Sequence, residues 1–106
     1  MPRTYSHKFL VELNRDDPEK NSSLGVRLGR LCVNGNIPAT YVASALDTTR
    51  VTIYGWFRGQ GVREKKRVDV DAMISLMEQD FEAGLLPVDS HAKAKAYIER
   101  LIGRPI

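Results

Sequence analysis

The segment Ile37–Gln60, IPATYVASALDTTRVTIYGWFRGQ, constrains the fold more than any other part of this 106-residue chain. Apolar residues fall at Val42, Ala43 and Leu46, then at Ile53, Trp56 and Phe57, each set on one face of a 3.6-residue period. Between the two sets, Asp47 and Thr48 are turn residues. Thr48 or Thr49 supplies a side-chain oxygen that can cap a helix start. The spacing predicts one short helix ending at Leu46 and a second over Thr49–Arg58, folded on each other across a tight turn. Pro38 suits the first turn of the earlier helix, where its missing N–H costs nothing, and Gly59-Gln60-Gly61 ends the later one.

The flanking residues read as supporting helices. Leu24, Leu28, Leu31 and Cys32 recur at helical spacing behind the candidate caps Asn21, Ser22 and Ser23, and Asn34-Gly35-Asn36 is a stop. Gly25 and Gly29 each lower helix propensity by about 1 kcal/mol relative to Ala and allow close packing on the following helix. Val62–Val68 reads as a basic, extended loop. Asp69 or Val70 then opens a fourth helix to about residue 83, with Val70, Met73, Ile74, Met77 and Phe81 as its apolar stripe. In its first turn, Asp69 and Asp71 complement the helix dipole. Gly84 and Pro87 close it, and Asp89 or Ser90 caps a fifth helix. That helix carries Ala94, Tyr97, Ile98, Leu101 and Ile102 on one face, either core or a dimer seam, and ends at Gly103 and Pro105. The expectation is an all-α, single-domain bundle of about five helices over 21–106. A flexible polar arm over 1–20 precedes it, interrupted by the apolar cluster Phe9, Leu10, Val11 and Leu13.

At 42% hydrophobic and 27% charged, the chain has the composition of an ordinary globular domain. It has no run of about 18 apolar residues for a membrane span, and its start lacks the apolar region of a signal peptide. Cys32 is the only cysteine, so no intrachain disulfide forms, and its place in LGRLCV reads as a buried structural thiol. His7 and His91 have no zinc-ligand spacing. No Ser/His/Asp or Cys/His set and no phosphate-cradling glycine loop is present, so neither an enzyme nor a cofactor is expected. The net charge is only +3, but it is segregated. Arg58, Arg63, Lys65, Lys66 and Arg67 stand against Glu64 alone, five cations to one anion directly after the second short helix. Arg3 and Lys8 add to the basic side, whereas acidic residues gather in Asp16–Glu19 and Asp69–Glu82.

On Ala43, Leu46, Ile53 and Trp56, in that order and spacing, the central segment resembles the helix-turn-helix of the phage repressor and Cro-like DNA-binding families. Its close, YGWFRG, is similar to the W-x-R/K-G ending of many such motifs. It departs at Asp47, where the family has glycine for a positive φ, and in the polar arm. The resemblance implies a sequence-specific duplex-DNA-binding protein, a small phage or prokaryotic transcriptional regulator, cytoplasmic and nucleoid-associated. As a homodimer it would read two half-sites about one helical turn apart. Arg50 would then pair with a guanine edge, Val51 would pack on a thymine methyl and Tyr54 would reach a base or phosphate. Thr40 and Tyr41 would bond the DNA backbone, and Thr49 would cap the helix or meet a phosphate. Arg58, Arg63, Lys65, Lys66 and Arg67 would contact phosphates. The competing expectation is a protein-binding module that reuses this fold, a host-machinery inhibitor or adaptor. It would present the apolar Val51/Tyr54/Gly55 surface or the acidic face of Asp71–Glu82 to its partner.

Overall fold

A computed structural model of the chain describes Tyr5, Leu10 and residues 23–106. Among these are five helices and no strand: α1 Leu24–Gly35, α2 Ala39–Ala45, α3 Arg50–Phe57, α4 Glu64–Glu82 and α5 His91–Ile102. None of them is long and apolar enough to cross a membrane. The arm expected over 1–20, with Arg3, His7, Lys8 and the acidic Asp16–Glu19, lies outside the described residues except at Tyr5 and Leu10. Tyr5 is not part of a solvated arm. Its ring is 4% exposed, and its hydroxyl donates to the Ile37 carbonyl at 2.6 Å.

Local chemistry sets most helix ends. Asn36 takes the left-handed conformation (φ 61°) after α1, and Ile37 N–H bonds back to the Cys32 carbonyl at 2.8 Å. Asn36 Nδ2 also donates to the Val88 carbonyl, while Val88 N–H bonds the Gly35 carbonyl. The end of α1 is thereby fastened to the α4–α5 link. Ser23 occupies the cap position of α1 but makes no side-chain cap bond, and Pro38 stands at the cap of α2 rather than inside its first turn. Ser90, not Asp89, caps α5 by accepting from Lys93 N–H. Asp89 pairs instead with the Lys93 ammonium at 2.9 Å, and that hydrogen bond holds its carboxyl below the usual range.

Helix α4 begins at Glu64, five residues before Asp69, so the basic stretch expected as a loop is helical. Glu64, Lys65, Lys66 and Arg67 are straight-chain residues of good helix propensity. Lys66 N–H bonds the Arg63 carbonyl at 2.8 Å, and buried Val62 pins the entry. Asp69 and Asp71 therefore lie beyond the first turn, where Glu64 is the only acid.

Helix α1 packs on α3 and α4, and α2 packs on α3 and α5. Gly25 and Gly29 of α1 face α3, not the helix that follows. A Cβ on Gly25 would sit 2.3 Å from the Trp56 carbonyl oxygen, and one on Gly29 would sit 2.9 Å from Phe57 Cγ. At Gly25 the two backbones approach so closely that no side chain fits. Leu28, Cys32, Val42, Ile53, Ile74 and Ile98 meet in the core, all fully buried. Burial pushes the Cys32 thiol well above its ordinary pKa. Tyr97 ties α5 to α4 through a 2.5 Å bond from its hydroxyl to Asp80 Oδ2, and burial followed by the Asp80 carboxylate holds that phenol protonated.

Candidate nucleic-acid interface

The link from α2 to α3 is residues 46–49. Asp47 adopts φ 54°, a left-handed conformation that aspartate accepts better than most residues. The chain reverses there through Thr48 N–H to the Ala43 carbonyl at 2.9 Å. Thr49 then starts α3, its Oγ1 accepting from Thr52 N–H at 3.2 Å. Two distant cations close the other side of the link. Lys66 Nζ donates to the Leu46 carbonyl at 2.6 Å and to the Asp47 carbonyl at 3.3 Å. Arg104 Nη2 donates to the Ala45 and Ser44 carbonyls at 3.3 and 3.5 Å. Four carbonyls at the end of α2 thus meet positive charge, the arrangement a helix C-terminus favours.

Helix α3 buries Ile53, Trp56 and Phe57 in the core and Gly55 beneath the chain that follows, and turns Arg50, Val51, Thr52 and Arg58 outward. At 100° per residue, Val51, Gly55 and Arg58 share the side away from the core, Val51 and Arg58 exposed and Gly55 covered. Arg50 and Tyr54 lie on one flank and Thr48 and Thr52 on the other. Val51 is 83% exposed, the most exposed large apolar residue described. Arg50, Thr52 and Arg58 are also exposed. Tyr54, expected to face outward, is half-buried. Its ring packs edge-on against Tyr5 at 6.2 Å and Phe57 at 6.0 Å.

On the Thr52 flank, a groove of about 520 Å³ separates α3 from the start of α4. Thr48, Thr52, Gln60, Arg63, Lys65 and Lys66 are among its walls. The five cations expected to act alike have different surroundings. Lys66 is committed to the carbonyls ending α2, and Arg67 Nε donates to the Val62 carbonyl at 3.1 Å. The side chains of Arg50, Arg63 and Lys65 make no hydrogen bond or ion pair with a described residue. Arg63 and Lys65 sit at the positive end of the α4 dipole, so their field adds to it toward the groove. Thr40 is exposed on α2, and Tyr41 is half-buried against the core.

Two residues of this region were not singled out in the sequence. One is Arg104. The other is Gln60, which folds back over α3. Gly59 takes φ 107°, so Gln60 N–H reaches the Gly55 carbonyl at 2.9 Å and Gly59 N–H reaches that of Trp56 at 3.0 Å. This paired closure follows from a glycine just past the helix end. It brings Gln60 Oε1 to 2.3 Å from where a Cβ on Gly55 would be. Gly59, just past the helix end, is the sequence signal for the closure. Among the described residues, no three His, Cys, Asp or Glu side chains cluster as a metal site. No protein-family model, curated protein or solved structure matches this chain.

Proposed function

We propose that this chain is a sequence-specific duplex-DNA-binding protein of the repressor type, which uses Ile37–Gln60 as a helix-turn-helix and lays α3 in the major groove. One observation carries the reading: cations that pair with no described residue flank a short helix whose outward residues Val51, Thr52 and Arg58 are exposed. Arg50 stands on one flank, Arg63 and Lys65 stand on the other, and Val51 and Thr52 lie between. A guanidinium at Arg50 suits the O6/N7 edge of guanine, and the methyls of Val51 suit thymine. Arg63, Lys65 and the exposed Arg58 suit phosphates, which fix register and supply affinity without sequence preference.

The test is fluorescence anisotropy against random-sequence duplex DNA over a salt series. Micromolar binding that weakens steeply with salt is the expected result, because each neutralised phosphate releases counterions. Arg50→Ala, folded by circular dichroism, should then lose selectivity among duplexes. Absence of binding at low salt would overturn the reading. The 83% exposure of Val51 favours a second reading, a protein-binding face. In that case Val51→Asp abolishes capture of a protein partner while duplex DNA is ignored by both forms.

A further inference from the structure

The geometry points to Gln60 as a specificity-determining residue of the α3 face, one that reads an adenine one or two steps from the base pair met by Val51. The inference rests on the DNA-binding reading above and adds to it a residue outside the helix and the base it selects.

Gly55 lies on the side of α3 away from the core, one turn after Val51, and has no side chain of its own. The Gln60 amide takes that place. Its Oε1 lies 2.3 Å, and its Nε2 3.7 Å, from the position a Gly55 Cβ would occupy. The amide therefore lies over the Gly55 backbone, which is buried, at the edge of the groove beside Thr52. Gln60 is exposed, and its side chain makes no hydrogen bond with a described residue. Its main chain is fixed by the 2.9 Å bond to the Gly55 carbonyl and by the turn at Gly59. The side chain is thus anchored at its root and unsatisfied at its tip.

A carboxamide offers one donor and one acceptor side by side, the pattern that matches adenine N7 and N6 in the major groove. One helical turn separates Gly55 from Val51, about 5.4 Å along the axis. Successive base pairs rise 3.4 Å, so Val51 and Gln60 meet pairs one or two steps apart. Gly55 serves as the seat. Any side chain there displaces the amide, although the backbone of α3 has room for it and the obstructing group is a flexible side-chain tip.

The experiment is enrichment of bound duplexes from a randomised pool, followed by titration of the selected duplex and its single-pair variants. It compares wild type, Gln60→Ala and Gly55→Ala, each checked for folding by circular dichroism and thermal midpoint. Wild type should prefer A·T at one pair by tenfold or more. Gln60→Ala should lose preference at that pair alone, with salt dependence and selectivity elsewhere unchanged. Gly55→Ala should reproduce this loss although Gln60 is still present. If Gln60→Ala retains every preference, the assignment of Gln60 is overturned while DNA binding stands. If wild type binds no duplex, both fall together.

Discussion

Gly25→Ala tests the closest approach in the fold. In an exposed helix the change would stabilise the protein by about 1 kcal/mol, because alanine loses less backbone entropy than glycine. Here the new Cβ would lie 2.3 Å from the Trp56 carbonyl oxygen and 2.7 Å from both the Trp56 carbonyl carbon and Cβ. Ordinary contact begins at 3.4 Å, so α1 must withdraw from α3 by roughly 1 Å. The obstacle is backbone and cannot rotate aside. A withdrawal of that size forfeits a quarter to a half of each dispersion contact along the seam, and overpacking of this kind costs about 1–3 kcal/mol. The upper end applies, and after the propensity gain the net destabilisation is about 2 kcal/mol. Urea unfolding at constant m-value should show it as a lowered midpoint. Two controls set the scale. At Gly29 the nearest atom is Phe57 Cγ at 2.9 Å, and because the ring can pivot, Gly29→Ala should cost about 1 kcal/mol or less. Gly61 has nothing within 4 Å, so Gly61→Ala should be neutral or stabilising by about 0.5 kcal/mol. A Gly25→Ala protein as stable as wild type would refute the α1–α3 geometry.

Lys66→Met should lower the unfolding midpoint by about 1–2 kcal/mol, since it leaves two carbonyls of the α2–α3 link without their donor, yet it should not change the salt slope of DNA binding. Arg63→Ala and Lys65→Ala should do the reverse, each reducing that slope by about 0.9 at unchanged stability. Tyr5→Phe should cost about 1–2 kcal/mol in the same denaturation assay, because it strands the Ile37 carbonyl. An unaffected midpoint would refute a stabilising bond from the Tyr5 hydroxyl to the Ile37 carbonyl. Stability should also decline above pH 8.5 through Cys32, whose folded pKa is raised by burial. Below about 8.5 both states keep the proton and the contribution is full. Above it the unfolded thiol ionises and the folded one does not, so stability falls as pH rises, by about 1.4 kcal/mol per unit. Cys32→Ala should flatten that limb between about pH 8.5 and 10, before tyrosines of the unfolded chain ionise.

Features that depend on near neighbours were legible in the sequence. Asn36 and Asp47 supply the left-handed residues that end α1 and turn α2 into α3, Thr49 and Ser90 cap, and Ile53, Trp56 and Phe57 share one inward face. What escaped depends on partners far along the chain. Lys66 acts on carbonyls 20 and 19 residues away, Arg104 on one 59 away, and Tyr5 on one 32 away. A run of like charges does not reveal that one cation serves a helix end while its neighbour faces solvent. The start of α4 was misplaced for a related reason. Lys65, Lys66 and Arg67 oppose the dipole of the turn they form, and the favourable acids Asp69 and Asp71 suggested a later beginning. Gln60 belongs to the same class, since its position over Gly55 exists only after the chain has reversed at Gly59.

The shortness of α3 has a thermodynamic consequence. Eight residues are too few for a helix to persist alone in water. This one exists because α1 presses on it through bare glycines and because three of its side chains are sealed in the core. Its outer face is open, while its amides from Ile53 onward are hydrogen-bonded within the packed helix, so their exchange should wait for global unfolding, whereas Arg50 and Val51 exchange freely. Any ligand arriving at the outer face meets a surface already ordered. Association should therefore show a small heat-capacity change, set by the area of that face, without the large negative value and entropic penalty of a segment that folds on contact.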